Sequence, residues 1–159
     1  MLLNISLLLI DQFLSAIQQR IFFRGGISTG KYYESDVMII GRPVNEAYEY
    51  SNIAEWSGIS CAPSASVLLN KVQGKDRKDL PKYFVDYNIP TKLGIEKNGW
   101  ALAWPKYDQK LHGKQKSAKN LILEELNGTT DISATLKLRN TLAFYDDELN
   151  RNKKISTKF

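Results

Sequence analysis

Short runs rich in β-branched and aromatic residues alternate along this chain with longer segments that have the apolar spacing of helices. Glycine or proline lies next to most of the short runs, as is typical of the turns that bound strands. A chain with both periodicities needs a sheet and helices that cover it. We therefore predict an α+β domain with an antiparallel-rich sheet covered by helices. The predicted strands are residues 20–27, which 32–33 continue after a change of direction, and 37–40, 59–62, 83–89 and 99–104. The first strand and residues 37–40 are predicted to form a hairpin.

The helices are predicted from apolar spacing and from the residues that cap them. Pro43 suits the first turn of a helix, where its missing N–H costs no hydrogen bond, and Asp131 or Thr130 caps the last helix. Residues 73–82 are mostly charged and are predicted to form an exposed loop, whereas residues 90–98, which contain Gly94, close a hairpin. The predicted helices are residues 3–19, 43–54, 63–69, 118–126 and 132–149.

The helix that starts at Pro43 has an apolar stripe and a neighbouring polar row. The apolar stripe, which is predicted to face the sheet, consists of Val44, Ala47, Tyr48, Ser51 and Ala54. The polar row consists of Asn45, Glu49 and Asn52.

Length and composition fit a single globular domain. The chain has 159 residues, of which 43% are hydrophobic and 25% charged, so it can bury a core without disulfides or metals. We predict one domain over residues 1–150, with a core at 20–105 and a helical C-terminal part at 117–150. Residues 151–159 are predicted to be a flexible basic tail.

The single cysteine and the apolar N-terminus bear on the cellular compartment. Cys61 has no partner for a disulfide within the chain and lies in an apolar run, which favours a buried, inert thiol. No basic residue precedes the apolar residues 1–10, and Asp11 and Gln12 interrupt them well short of a membrane span of roughly 20 residues. We expect an amphipathic helix, no membrane association and a cytoplasmic location.

Three stretches of the chain have a recognisable order and spacing. They are residues 24–30 (RGGISTG), 41–47 (GRPVNEA) and 90–94 (PTKLG). Together they resemble the R-x-G-I-x-x-G strand and turn, the G-x-x-V-N-x-A helix start and the late lysine-glycine hairpin of the class III nucleotidyl cyclases. The resemblance covers residues 24–104 and implies the ferredoxin-like fold of that family. Four further short segments are similar to a divergent bacterial branch of the family: residues 47–49, 87–90, 104–105 and 139–142. That branch includes pyrimidine cyclases that signal phage infection.

The resemblance implies roles for several residues. Cyclases of this family join the ribose 3′ oxygen to the α-phosphate of a nucleoside triphosphate and release pyrophosphate. Asn45 matches the catalytic asparagine that positions the ribose, and Lys92 matches the lysine that contacts phosphate. The family's transition-state arginine lies four residues after the asparagine, where this chain has Glu49, a carboxylate that repels a triphosphate. Arg42 or Arg24 is the candidate for a replacement nucleotide-binding cation.

The metal-binding part of the family has no counterpart in this sequence. In those enzymes two aspartates on an early strand and hairpin hold two metal ions, whereas here only residues 1–23 precede Arg24 and are predicted to contain one helix. Asp11 and Asp36 lie at other positions, and Met38 replaces an aspartate that reads adenine in some relatives. We predict an N-terminally truncated fold without a metal site. No cofactor is expected for this chain alone. Mg²⁺ or Mn²⁺ is expected to bind only if a partner chain supplies the aspartates.

These features predict a degenerate or partial cyclase-like domain that binds a nucleoside triphosphate or a protein partner and is inactive as this chain alone. One alternative is a fragment or subunit of an active cyclase that makes a 3′,5′-cyclic nucleotide. A homodimer or a partner chain is expected by resemblance, and loss of the early strand leaves an open sheet edge that invites pairing.

A further alternative is nucleic-acid binding through a lysine-rich stretch, which the formal net charge of +5 would favour. A solvated loop is the simpler interpretation, because aromatic residues do not alternate with these lysines as a stacking platform requires. Nucleic acid is therefore not the expected partner. The lysines are Lys106, Lys110, Lys114, Lys116 and Lys119.

Two other groups of polar residues could be mistaken for metal sites. Asp146, Asp147 and Glu148 are consecutive, so on a helix they point in different directions. They are predicted to form a solvated helix end, with Asp147 paired to Arg151. His112 has no second ligand nearby in the sequence, so neither a zinc site nor a catalytic triad is predicted from it.

Overall fold

The computed structural model describes residues 2–108 and 115–156. Within them helices pack on a mixed sheet, which confirms the predicted α+β class. A short 3₁₀ helix, Trp104–Tyr107, follows the last strand. In chain order the other elements are α1 Leu2–Gln18, β1 Arg24–Ile27, β2 Tyr33–Ser35, β3 Met38–Ile40, α2 Arg42–Ile53, β4 Gly58–Cys61, α3 Pro63–Asn70, α4 Gly74–Tyr83, β5 Phe84–Thr91, β6 Gly94–Leu102, α5 Ala118–Gly128 and α6 Ile132–Ser156.

The main sheet has the strand order β1-β4-β6-β5. β1 and β4 are parallel, with Gly26 opposite Ser60, whereas β6 is antiparallel to both β4 and β5. Most strand pairings in the described sheet are therefore antiparallel, as predicted. β1 lies at one edge of the sheet, and β2 and β3 form a separate antiparallel hairpin.

The chain forms two compact units. The helical unit consists of Met1–Phe23, Glu55–Ser57 and Ala103–Phe159, and the sheet unit consists of Arg24–Ala54 and Gly58–Leu102. Helices α2, α3 and α4 contact β1, β4 and β5 within the sheet unit. The single domain predicted from the sequence stays a prediction.

Aromatic side chains form the core of the helical unit. The ring centroids of Phe13 and Trp104 lie 5.1 Å apart, and those of Trp56 and Phe144 lie 4.7 Å apart. All four side chains are fully buried, so each contributes a large apolar area to stability.

No helix in the described part of the chain is long and apolar enough to cross a membrane.

The largest error of the sequence prediction concerns residues 73–82, which belong to α4 rather than to an exposed loop. The charged side chains remain at the surface, as predicted, but Leu80 is only 1% exposed and docks the helix. Pro81 lies in the last turn, where a missing N–H disturbs little of the helix that precedes it.

Three element boundaries also differ from the prediction. β1 begins at Arg24 rather than Arg20, because Arg20 has a φ of 63°, outside the β region. The turn between β5 and β6 is residues 92–93 rather than 90–98, because both strands extend further. α6 continues to Ser156, beyond the predicted end at Leu149, and residues 157–159 lie outside the described part of the chain.

Candidate functional site

Helix α2 lies directly against β1, and a glycine makes the close contact possible. A Cβ atom at Gly26 would lie 2.2 Å from the backbone oxygen of Ala47. Any side chain at this position would push the helix away from the strand. The second glycine of the RGGISTG stretch therefore brings the helix that carries Asn45 close to the sheet.

The N-terminus of α2 is held by the turn that follows β1. The Ser28 hydroxyl donates a hydrogen bond to the carbonyl of Pro43, which is buried. Gly41, the residue before the helix, has a φ of 154°, and a Cβ atom there would lie 2.9 Å from the Tyr32 backbone. The exposed side chains of Arg42 and Asn45 lie on the first turn of the helix.

The start of α3 lies beside the same turn. The Glu46 carboxylate accepts a hydrogen bond of 3.0 Å from the backbone N–H of Ser64, and the Ser64 hydroxyl accepts one of 2.9 Å from the N–H of Thr29. Hydrogen bonding from Ser64, followed by the nearby Arg42 charge, holds the pKa of Glu46 below its usual value of 4.5. The first turns of α2 and α3 are thus tied to the end of β1.

Two other predicted residues lie at the C-terminal end of α2. The Arg24 guanidinium donates hydrogen bonds to the carbonyls of Asn52 and Ala54, at 3.3 and 2.8 Å. The backbone N–H of Lys92 donates to the carbonyl of Ile53 at 2.8 Å. Carbonyls at a helix end lack intrahelical partners, and a cation there is stabilised by the helix dipole.

The four predicted site residues therefore form two pairs along one helix. Arg42 and Asn45 lie at its start, and Arg24 and Lys92 lie at its end. Eight residues separate Asn45 from Ile53, which corresponds to about 12 Å along the helix axis. The Lys92 side chain is exposed, whereas Arg24 is half-buried and bound to carbonyls.

The buried face of α2 matches the predicted one only in part. Val44 and Tyr48 are 37% and 69% exposed, whereas Pro43 and Tyr50 are buried. Two residues of the predicted stripe do face inward, since the Ala47 backbone lies against Gly26 and Ala54 is fully buried. Asn45 and Glu49 of the predicted polar row are exposed, and Asn52 is half-buried.

Sequence reasoning missed a polar contact on the buried face of α2. The Tyr50 hydroxyl donates a hydrogen bond to the Glu96 carboxylate on β6. Burial, followed by the adjacent carboxylate, raises the pKa of Tyr50 well above its usual value. No local signal in the sequence could have linked the two residues, because they lie 46 positions apart.

The acidic residues near the end of α6 form separate ion pairs. Asp147 pairs with Arg151 at 2.8 Å, as predicted, and Asp146 pairs with Lys119 at 2.6 Å. The prediction of a solvated position is wrong for Glu148, which is 2% exposed and pairs with Lys106 at 2.8 Å.

No metal cluster is evident among the residues whose structure is described. Within residues 2–108 and 115–156, no group of three His, Cys, Asp or Glu side chains could hold an ion. His112, Lys110 and Lys114 lie outside these residues. Cys61 is fully buried, as predicted, and burial raises the pKa of its thiol to about 12.

Comparison with known proteins adds no relative. No protein-family model matches the sequence, and no curated protein or solved structure is significantly similar to it.

Proposed function

We propose that the sheet unit is a nucleotide-cyclase-like module with a ferredoxin-like ancestry that binds a nucleoside triphosphate along α2 without converting it. The observation that carries the proposal is the convergence of three distant sequence stretches on this helix. Residues 24–30 lie against it, residues 41–47 begin it and residues 90–94 contact its end. These are the stretches that resemble class III nucleotidyl cyclases.

The exposed polar side chains along α2 suit the parts of a nucleotide. Asn45, with an amide that both donates and accepts hydrogen bonds, is assigned to the ribose. Arg42 on the same turn and Lys92 at the other end are assigned to phosphate oxygens, which attract both kinds of cation. Arg24 supports the helix instead, since its guanidinium is bound to the carbonyls of Asn52 and Ala54.

The residues present do not fit the two-metal chemistry of an active cyclase. The described part of the chain has no cluster of three potential metal ligands. Glu49, one helical turn after Asn45, presents a carboxylate where the family has a cation. Turnover would therefore need a partner chain that supplies both the metal-binding aspartates and a cation for the transition state. We assign this binding role to the cytoplasm, where nucleoside triphosphates are available and a lone thiol stays reduced.

Calorimetric titration with each of the four ribonucleoside triphosphates in the presence of Mn²⁺ tests the proposal. We expect at least one of them to bind, and we expect Asn45→Ala and Lys92→Ala each to weaken binding by about tenfold, the loss of one hydrogen bond to the ribose or of one to a phosphate oxygen. Lys97→Ala is the matched control, because Lys97 is an exposed lysine on the same β5–β6 hairpin. It should leave the affinity unchanged.

Chromatographic analysis of the same mixtures separates binding from catalysis. A cyclic product that disappears in Asn45→Ala would show that the chain is an active cyclase and that turnover was wrongly excluded. If none of the four nucleotides bound, or if Lys97→Ala weakened binding as much as Lys92→Ala, the assignment of this face would be wrong.

A further inference from the structure

The tryptophan on β6 lies at the surface of the sheet unit. Trp100 is half-buried, whereas Trp56 and Trp104 are fully buried. Its indole N–H donates a hydrogen bond of 2.9 Å to the side-chain oxygen of Asn70, the last residue of α3. The guanidinium carbon of Arg77 on α4 lies 6.0 Å from the centre of the indole ring, at the outer limit of a cation–π contact. Asn70 therefore orients the ring, and Arg77 places a cation beside it.

Trp100 and α2 lie on opposite faces of the sheet. Tyr50 of α2 donates to Glu96 on β6, and Glu96 is paired with Ile89 and so shares its face. A Cβ atom at Gly99 would lie 2.6 Å from the Ile89 side chain, so Gly99 belongs to that face too. Because successive residues of a strand point to opposite faces, Trp100 belongs to the other one. The surface at Trp100 is therefore separate from α2.

The helix that carries Arg77 has an excess of positive charge. Residues 71–82 contain five cations and two carboxylates, a net charge of +3, which Asp86, opposite Trp100 on β5, lowers by one. Asp79 pairs with Lys82 at 2.7 Å. The other four cations are exposed, and in the part of the chain that the structure describes none of them forms a salt bridge. These four are Lys71, Lys75, Arg77 and Lys78. Such a surface attracts a polyanion.

We infer that this face binds single-stranded nucleic acid, with a base stacked on Trp100 and the cations in contact with phosphates. Surfaces that bind single strands combine cations that follow the backbone with aromatic side chains on which bases stack. The Arg77 guanidinium is a second plane on which a base can stack. An acidic protein would use the cations without the ring, and a duplex would offer its phosphates while its bases stay stacked inside.

This surface differs from the lysine-rich stretch of residues 106–119, in which aromatic residues do not alternate with the lysines. On the sheet unit the fold supplies the aromatic residue instead. Trp100 lies 30 positions after Asn70, and the β5–β6 hairpin brings it back to α3 and α4. The inference does not depend on nucleotide binding by α2.

Fluorescence anisotropy of the full chain with labelled oligouridylate and oligodeoxythymidylate of about 12 nucleotides, within the range of known site sizes, tests the stacking role. We expect Trp100→Ala to weaken binding by about tenfold, the loss of one stacked base. Trp100→Phe keeps an aromatic face and should weaken binding by less than about threefold. Circular dichroism would check that both variants keep the helical content of the wild type.

The dependence of affinity on salt tests the cations. Replacing Lys75 and Lys78 together by alanine should lower the slope of log Kd against log salt concentration by about 1.4, the loss of two phosphate contacts to a single strand. The matched control replaces Lys31 and Lys97, exposed lysines of the same unit that belong to neither α3 nor α4. It removes the same charge and should leave the slope unchanged.

Four results would overturn the inference. The first is no binding of either oligonucleotide up to about 100 μM, the weak limit of non-specific binding. The second is equal slopes for the two double variants. The third is an equal loss of affinity in Trp100→Ala and Trp100→Phe. The fourth is a duplex of the same length that binds as tightly as the single strands, which would show that only charge is recognised.

Discussion

Glu46 ties the middle of α2 to the start of α3, and its charge should contribute to stability. Its carboxylate accepts the backbone N–H of Ser64, where the α3 dipole favours an anion. Glu46→Gln keeps the shape and one acceptor but removes the charge. We expect it to lower the free energy of unfolding by about 0.5 kcal/mol near neutral pH, a small value because water screens this partly exposed group. Urea titration followed by circular dichroism measures the difference.

The effect of Glu46→Gln should depend on pH in one direction. The folded-state pKa of Glu46 lies below the usual 4.5, so the charge stabilises the fold fully above that value and less as the pH falls through the folded pKa. The difference between wild type and variant should therefore shrink as the pH falls below 4.5 and disappear once the folded-state carboxylate is protonated. Glu49→Gln, on the exposed face of the same helix, is the control and should change stability little. A wild-type advantage that persisted at low pH would argue that packing, and not charge, is responsible.

Among the helices and strands, α4 is the one whose structure differs most from the sequence prediction. Leu80 is 1% exposed, and in a solvated loop its side chain would be free. We expect Leu80→Ala to lower the free energy of unfolding by about 2–3 kcal/mol, the cost of a buried cavity. Lys78→Ala, at an exposed position of the same helix, should stay within about 0.5 kcal/mol of wild type. Equal midpoints of urea unfolding for both variants would mean that α4 does not dock through Leu80.

The elements with local signals are those that could be predicted. Gly41 and Pro43 mark the start of α2, and Asp131 caps α6 through a hydrogen bond of 2.6 Å from the N–H of Ala134. α4 has no comparable apolar spacing, and one buried leucine does not make a pattern. The exposure of Val44 and Tyr48 on α2 also escaped prediction, because their apolar character alone does not distinguish them from Ala47 and Ala54.

Contacts between distant residues also escaped prediction at the candidate site. Asn45 and Lys92 could be chosen from short stretches of sequence, because each stretch has a recognisable pattern. The hydrogen bonds from Arg24 to the end of α2, and the one from Tyr50 to Glu96, join residues that are distant along the chain. Only the folded backbone brings them together, so the supporting role of Arg24 could not be distinguished from a nucleotide-binding role.

At the scale of the whole molecule, a three-residue segment links the two units through the chain. Glu55–Ser57 belongs to the helical unit but lies between α2 and β4 of the sheet unit. The Asn140 amide donates to the carbonyl of Glu55 at 2.6 Å, and the Thr141 hydroxyl accepts the N–H of Ser57 at 2.8 Å. Trp56 between them is fully buried. The segment between α2 and β4 is therefore anchored to α6 within the helical unit.

This connectivity predicts a single cooperative unfolding transition. In Trp100→Phe the remaining tryptophans, Trp56 and Trp104, report only on the helical unit, and hydrogen exchange of β5 and β6 amides reports on the sheet unit. We expect both probes to give the same urea midpoint, because a short buried link couples the two parts. Trp100→Phe removes the hydrogen bond from Trp100 to Asn70. This loss does not affect the comparison, because both midpoints are measured on the same variant. Earlier exchange of the strands would instead mean two domains, with residues 55–57 as an anchored linker, and would overturn the single domain expected from the sequence.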